Sequence, residues 1–109
     1  MPEATQAEVG RRLYHVHREK KVERAMKQMQ QGKGSDWKLF SEEEILLLSH
    51  LMQCTWNVID QDLWDKIPFS SITISEIRQI LSYGVGVRPG LNPTSESVDN
   101  IKKILLGLS

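Results

Sequence analysis

The stretch 45–59 constrains the fold more than any other part of the chain. Ile45, Leu46, Leu47, Leu48, Leu51, Met52, Trp56 and Val58 crowd together there, directly after Ser41-Glu42-Glu43-Glu44. That lead-in has the spacing of a capping box, in which the serine hydroxyl accepts from the N3 amide while the N3 glutamate reaches back to the cap. Three carboxylates in the first turn also complement the helix dipole. A helix that is apolar on most of its sides must be covered on most of its sides, so it belongs in the middle of a bundle. Trp37 and Phe40 stand just before the cap and are placed to staple its entry. The spacing predicts a central core helix over 42–59.

The remaining segments read as its covering. Residues 60–67 form a short helix capped by Asp60 and ended before Pro68. Residues 75–83 form another, with Ile74, Ile77, Ile80 and Leu81 facing inward and Gly84 just past its end. A last helix over 95–108 carries the stripe Val98, Ile101, Leu105 and Leu108 after a cap at Thr94 or Ser95. Residues 85–93, with two glycines and two prolines, are loop. The predicted fold is all-α, a small bundle of four to five helices with a long N-terminal helix. Alternation at 71–74 and 83–87 leaves room for one small two-stranded element.

The N-terminal helix, over 5–31, differs in character. It is rich in good helix formers and has no internal proline. Its apolar positions are Val9, Leu13 and Val16, then Val22, Met26 and Met29, but Lys20 and Glu23 stand where the first stripe would continue. So thin and broken a stripe needs a partner surface to hold it. Gly32-Lys33-Gly34-Ser35 reads as a flexible break after it. The chain therefore divides into a basic helical arm and linker, 1–34, and a compact helical domain, 35–109.

Charge supports that division. The 109 residues carry 14 basic and 14 acidic side chains, so the net charge is zero, yet it is unevenly placed. Eight basic against four acidic groups give residues 1–34 a net +4, and six against ten leave 35–109 at −4. A basic arm on an acidic body binds an anionic partner or folds back on its own body. With 39% hydrophobic and 26% charged residues, the chain has the balance of a globular protein rather than a disordered one. Cys54 is the single cysteine, which excludes an internal disulfide. The longest aliphatic run, residues 45–48, is far short of the roughly 20 residues a bilayer requires. An intracellular location, cytoplasm or nucleus, is expected, with no membrane partner.

Residues 61–78 carry one further pattern. Gln61-Asp62-Leu63-Trp64-Asp65-Lys66-Ile67, then Pro68-Phe69-Ser70, then Ile72-Thr73-Ile74-Ser75-Glu76-Ile77-Arg78 resembles the helix-turn-helix of bacterial and phage repressors. The resemblance implies that the second helix turns Ser75, Arg78, Gln79 and Ser82 toward the major groove of DNA, where Arg and Gln have the donors for guanine and adenine edges. The sequence departs from that family at Trp64, where repressors keep a small residue, and at Pro68, where they keep a turn glycine. Glu76 beside Arg78, on a body of net −4, opposes phosphate contact.

Other constellations are fragments. His50 and Cys54 are four apart on the core helix, but no second pair with zinc-ligand spacing follows. Asp60, Asp62 and Asp65 lack the glycine and glutamate of an EF-hand loop. Gly84-X-Gly86 follows a helix, the wrong order for a dinucleotide loop. No nucleophile comes with a base and an orienting group. The reading is a small non-enzymatic interaction or regulatory protein with no cofactor and no metal. Its partner, another protein or a second copy of the chain, would meet Arg11, Arg12, Leu13, Val16, Arg18, Lys20, Lys21, Arg24 and Lys27. The alternative is a helix-turn-helix transcription regulator, with nucleic acid as the partner.

Overall fold

The computed structural model describes residues 6–87 and 91–108, with side chains from residue 13 onward. It is all-α. Five helices follow one another: α1 (Gln6–Gln31), α2 (Glu42–Trp56), α3 (Gln61–Lys66), α4 (Ile74–Ser82) and α5 (Ser95–Leu106). Two 3-10 turns, Trp37–Leu39 and Phe69–Ser71, lie between them. Among the described residues there is no strand, so neither 71–74 nor 83–87 forms a sheet.

Capping explains most of the boundaries. At α2 the Ser41 hydroxyl accepts from the Glu44 amide at 3.1 Å, and the Glu44 carboxylate accepts from the Ser41 amide at 2.9 Å. A second capping box opens α4, where Thr73 Oγ1 accepts from the Glu76 amide and Glu76 Oε1 accepts from the Thr73 amide, at 3.2 and 3.0 Å. This box is why the alternating residues 71–74 start a helix instead of a strand, since together its two halves satisfy otherwise unpaired donors. Asp60 caps α3 by accepting from the Asp62 amide at 2.8 Å, so α2 stops at Trp56, short of the 59 expected. Gly107, at φ 72°, closes α5 in the left-handed region that glycine adopts freely.

Helix α2 is the hub of the fold and packs against α1, α4 and α5. Leu48, Leu51, Met52, Ile77, Ile80, Ile101 and Met29 are fully buried at their junction. Thr55, also fully buried, satisfies its hydroxyl by donating to the Leu51 carbonyl at 2.8 Å. The inner face of α1 is Val22, Ala25 and Met29, which belong to the same core cluster as α2 and α4. Helix α1 thus packs on its own body from Val22 to its C-terminal end.

Residues 32–35 are a close-packed junction where the sequence reading expects a flexible break. The amide of Lys33 donates to the Ser70 carbonyl at 2.8 Å. A Cβ on Gly32 would run into that carbonyl oxygen and stand 2.6 Å from Ser70 Cα. One on Gly34 would meet Ile77 Cδ1 at 2.8 Å and the Ile72 carbonyl at 2.9 Å. Both glycines let the end of α1 touch the second 3-10 turn backbone to backbone.

This junction yields a stability prediction. Gly32→Ala should destabilise the fold by about 2–3 kcal/mol in urea unfolding, because the obstacle is backbone and cannot turn aside. The exposed neighbour Lys33→Ala should stay within about 0.5 kcal/mol of the parent chain.

Candidate functional site

Among the described side chains, residues 14–17 of α1 make aromatic contacts to the end of α2. The Tyr14 ring lies 5.4 Å from that of Trp56 and the His17 ring 6.0 Å from it, in tilted and edge-on arrangements. The Tyr14 hydroxyl donates to Asn57 Oδ1 at 2.7 Å. Trp56 is only 3% exposed, so these rings close over the end of α2. Further along, Lys21 Nζ meets Asp65 Oδ1 at 2.6 Å and ties α1 to α3.

These contacts use one side of α1 and leave the other bare. Leu13 is 65% exposed and Val16 47%. Helical spacing puts Lys20, Arg24 and Lys27 on the same side as Leu13 and Val16, away from Val22, Ala25 and Met29. All three cations are exposed. Glu19 and Glu23 lie on the flank toward α2, lining a hollow with Met26 and Trp37. The outward strip therefore reads apolar at its N-terminal end and basic at its C-terminal end.

The nine residues expected to meet a partner separate accordingly. Leu13, Val16, Lys20, Arg24 and Lys27 share the outward strip. Lys21 is engaged with Asp65, and Arg18 is half-buried near Cys54 with a buried, unpartnered Nε. The side chains of Arg11 and Arg12 lie outside the described residues. The aromatic clasp of Tyr14, His17, Trp56 and Asn57 is not part of the sequence reading. Its signal is the three-residue spacing of Tyr14 and His17, which puts both rings on one side of the helix.

Ser75, Arg78, Gln79 and Ser82 are exposed together on the outer face of α4, spaced i, i+3, i+4 and i+7. The Arg78 guanidinium carbon lies 5.0 Å from the Phe40 ring centroid, a cation–π contact that draws the side chain back onto the body. Ser82 Oγ donates to the Gln79 carbonyl at 2.6 Å. Glu76, which stands beside Arg78 in the sequence, is half-buried with its carboxylate committed to the capping box. Helix α4 packs on α2 and α5, and the second 3-10 turn separates it from α3.

His50 and Cys54 come together on α2. His50 Nε2 is 2.9 Å from the Leu91 carbonyl, which only accepts, so that nitrogen carries the proton and donates it there. The same nitrogen faces Cys54 Sγ at 3.8 Å and has no lone pair with which to take the thiol proton. Burial pushes the Cys54 thiol above its ordinary range, against a smaller downward pull from Arg18. Among the described residues no three His, Cys, Asp or Glu side chains are grouped to hold a metal ion. No helix there is long and apolar enough to cross a membrane.

No family model, no curated protein and no solved structure matches this chain.

The thiol environment gives a pH prediction. Only the thiolate attacks alkylating agents, and a raised folded-state pKa lowers its fraction at every pH below that pKa. Cys54 in the folded chain should react with iodoacetamide more slowly at pH 7.5 than in the urea-unfolded chain, with the gap closing as pH rises past the folded value. Equal rates at pH 7.5 would contradict the assignment.

Proposed function

We propose that this chain is a small, non-enzymatic interaction module that binds a protein partner through the outward strip of α1. The observation that carries this reading is the bareness of Leu13 and Val16 on a helix whose opposite side is anchored in the core. Two exposed aliphatic side chains cost little in isolation, but they head a strip completed by Lys20, Arg24 and Lys27. Exposed apolar groups bordered by charge are the chemistry of a recognition surface. The partner's complementary features are an apolar patch and carboxylates set beside it. An intracellular setting, cytoplasm or nucleus, goes with this reading through the single reduced cysteine.

The expected behaviour of Leu13→Glu with Val16→Glu follows. Circular dichroism and melting temperature should stay at parent values, since both positions are solvent-exposed, while partner capture falls at least about tenfold, the effect of about 1.4 kcal/mol. A pair of changes that leaves capture untouched would refute the assignment of the strip.

Helix-turn-helix DNA binding is the second reading, favoured by the shared outward face of Ser75, Arg78, Gln79 and Ser82 on α4. It predicts micromolar binding of random duplex DNA that weakens steeply between about 50 and 200 mM salt. It also predicts that Arg78→Ala reduces affinity for a preferred sequence more than for random duplex. An absence of anisotropy change at low salt would remove it.

A further inference from the structure

The chain carries a second open surface whose chemistry mirrors the first. A groove of about 480 Å³ runs along the first half of α2, between Glu43, Leu46, Leu47 and His50 on that helix and Val87 beyond α4. Leu46 is 69% exposed and Val85, near Val87, is 85% exposed, so the groove offers aliphatic surface to solvent. At its N-terminal end stand the exposed carboxylates of Glu42 and Glu43. Neither is used in the capping box, which takes only Ser41 and Glu44. A cation brought beside these two exposed carboxylates is attracted by both.

We propose that this groove receives the outward strip of α1 from a second copy of the chain. The inference rests on the reading of α1 as the binding surface and identifies its partner. The order of features fixes the orientation. Along α1 the apolar pair Leu13 and Val16 precedes Lys20 and Arg24, whereas along α2 the acidic turn precedes Leu46 and Leu47. Only an antiparallel approach sets Leu13 and Val16 on Leu46 and Leu47 while Lys20 and Arg24 reach Glu43 and Glu42. A rise of 1.5 Å per residue places Lys20 about 6 Å beyond Val16 and Glu42 the same distance beyond Leu46. The spacings match.

The chain cannot make this contact with itself. Its own α1 is pinned by Val22, Ala25, Met29 and the Gly32–Ser70 junction, with the strip facing away from α2. The strip of one copy meets the groove of another: where both such contacts form between the same two copies a two-fold dimer closes, and otherwise each addition leaves a free strip and a free groove. A single helix strip buries less than about 1,200 Å², the range of weak and transient contacts. Association is therefore concentration-dependent and governed by charge.

Sedimentation velocity on the full chain tests this. At about 50 mM salt the weight-average mass should climb above 12.5 kDa as concentration rises. At about 500 mM salt, where screening is stronger, association should weaken at least about tenfold. Lys20→Glu with Arg24→Glu reverses the strip, and Glu42→Lys with Glu43→Lys reverses the end of the groove. Each double variant alone should remain at 12.5 kDa, and an equal mixture should associate again, since each then offers the other a complementary face. Leu46→Ser should also abolish association without altering charge, with circular dichroism checking that each variant is folded. A parent chain that stays monomeric throughout, or a mixture that fails to recover, would overturn the proposal. Continued capture of a different protein through Leu13 and Val16 in that event would leave the function of the strip standing.

Discussion

Everything distinctive about this fold depends on the close approach between the end of α1 and the turn before α4. Gly32 and Gly34 have no side chain where Ser70, Ile72 and Ile77 press against them, and the Lys33 amide bonds across the gap. With that seam closed, Met29 sits fully buried beside the α2 and α4 side chains, and Ala25 and Val22 follow one and two turns back. Burying a side chain of the size of Met29 stabilises by about 1.5–3 kcal/mol. The seam also sets the rotation of α1 about its own axis. A helix fixed in rotation has a defined outside, and here that outside is Leu13, Val16, Lys20, Arg24 and Lys27.

The two halves of α1 are held by different physics. From Val22 onward, aliphatic burial and backbone contact do the anchoring, and both resist salt. Toward the N-terminal end, the hold is the tilted and edge-on contact of Tyr14 and His17 with Trp56, one hydrogen bond to Asn57 and one ion pair to Asp65. Those are directional contacts worth about a kcal/mol each or less, and the ion pair weakens as salt rises. Among the described residues, 13–21, which carry the bare apolar pair, are thus held by lighter contacts than 22–31. They keep the strip presented while able to adjust to what it meets.

Most of the fold was legible in the sequence because its signals are local. The Ser41–Glu44 box, Asp60, Pro68 and Thr94 mark helix ends within a few residues of themselves, and the dense apolar content of 45–56 marks the centre of the bundle. What escaped were features that depend on distant partners. Nothing in Gly32-Lys33-Gly34 distinguishes a flexible linker from a tight crossing until Ser70, 38 residues later, is set against it. Thr73 and Glu76 carry capping-box spacing, but the alternation around them and the resemblance to a repressor turn concealed it. Of the interaction strip, Leu13, Val16, Lys20, Arg24 and Lys27 could be proposed from sequence. Removing Arg18 and Lys21 from it required Cys54 and Asp65 in place.

The central claim is that α1 belongs to the core and presents a fixed outer face, and native-state amide hydrogen exchange tests it most directly. Amides of residues 22–29 should exchange as slowly as those of 48–56 in α2, since both depend on opening the same core. Residues 13–17 should exchange faster, in keeping with their lighter hold. Exchange of 22–29 at rates orders of magnitude above those of 48–56 would mean that α1 is a free arm, and the account of a fixed outward strip would fail.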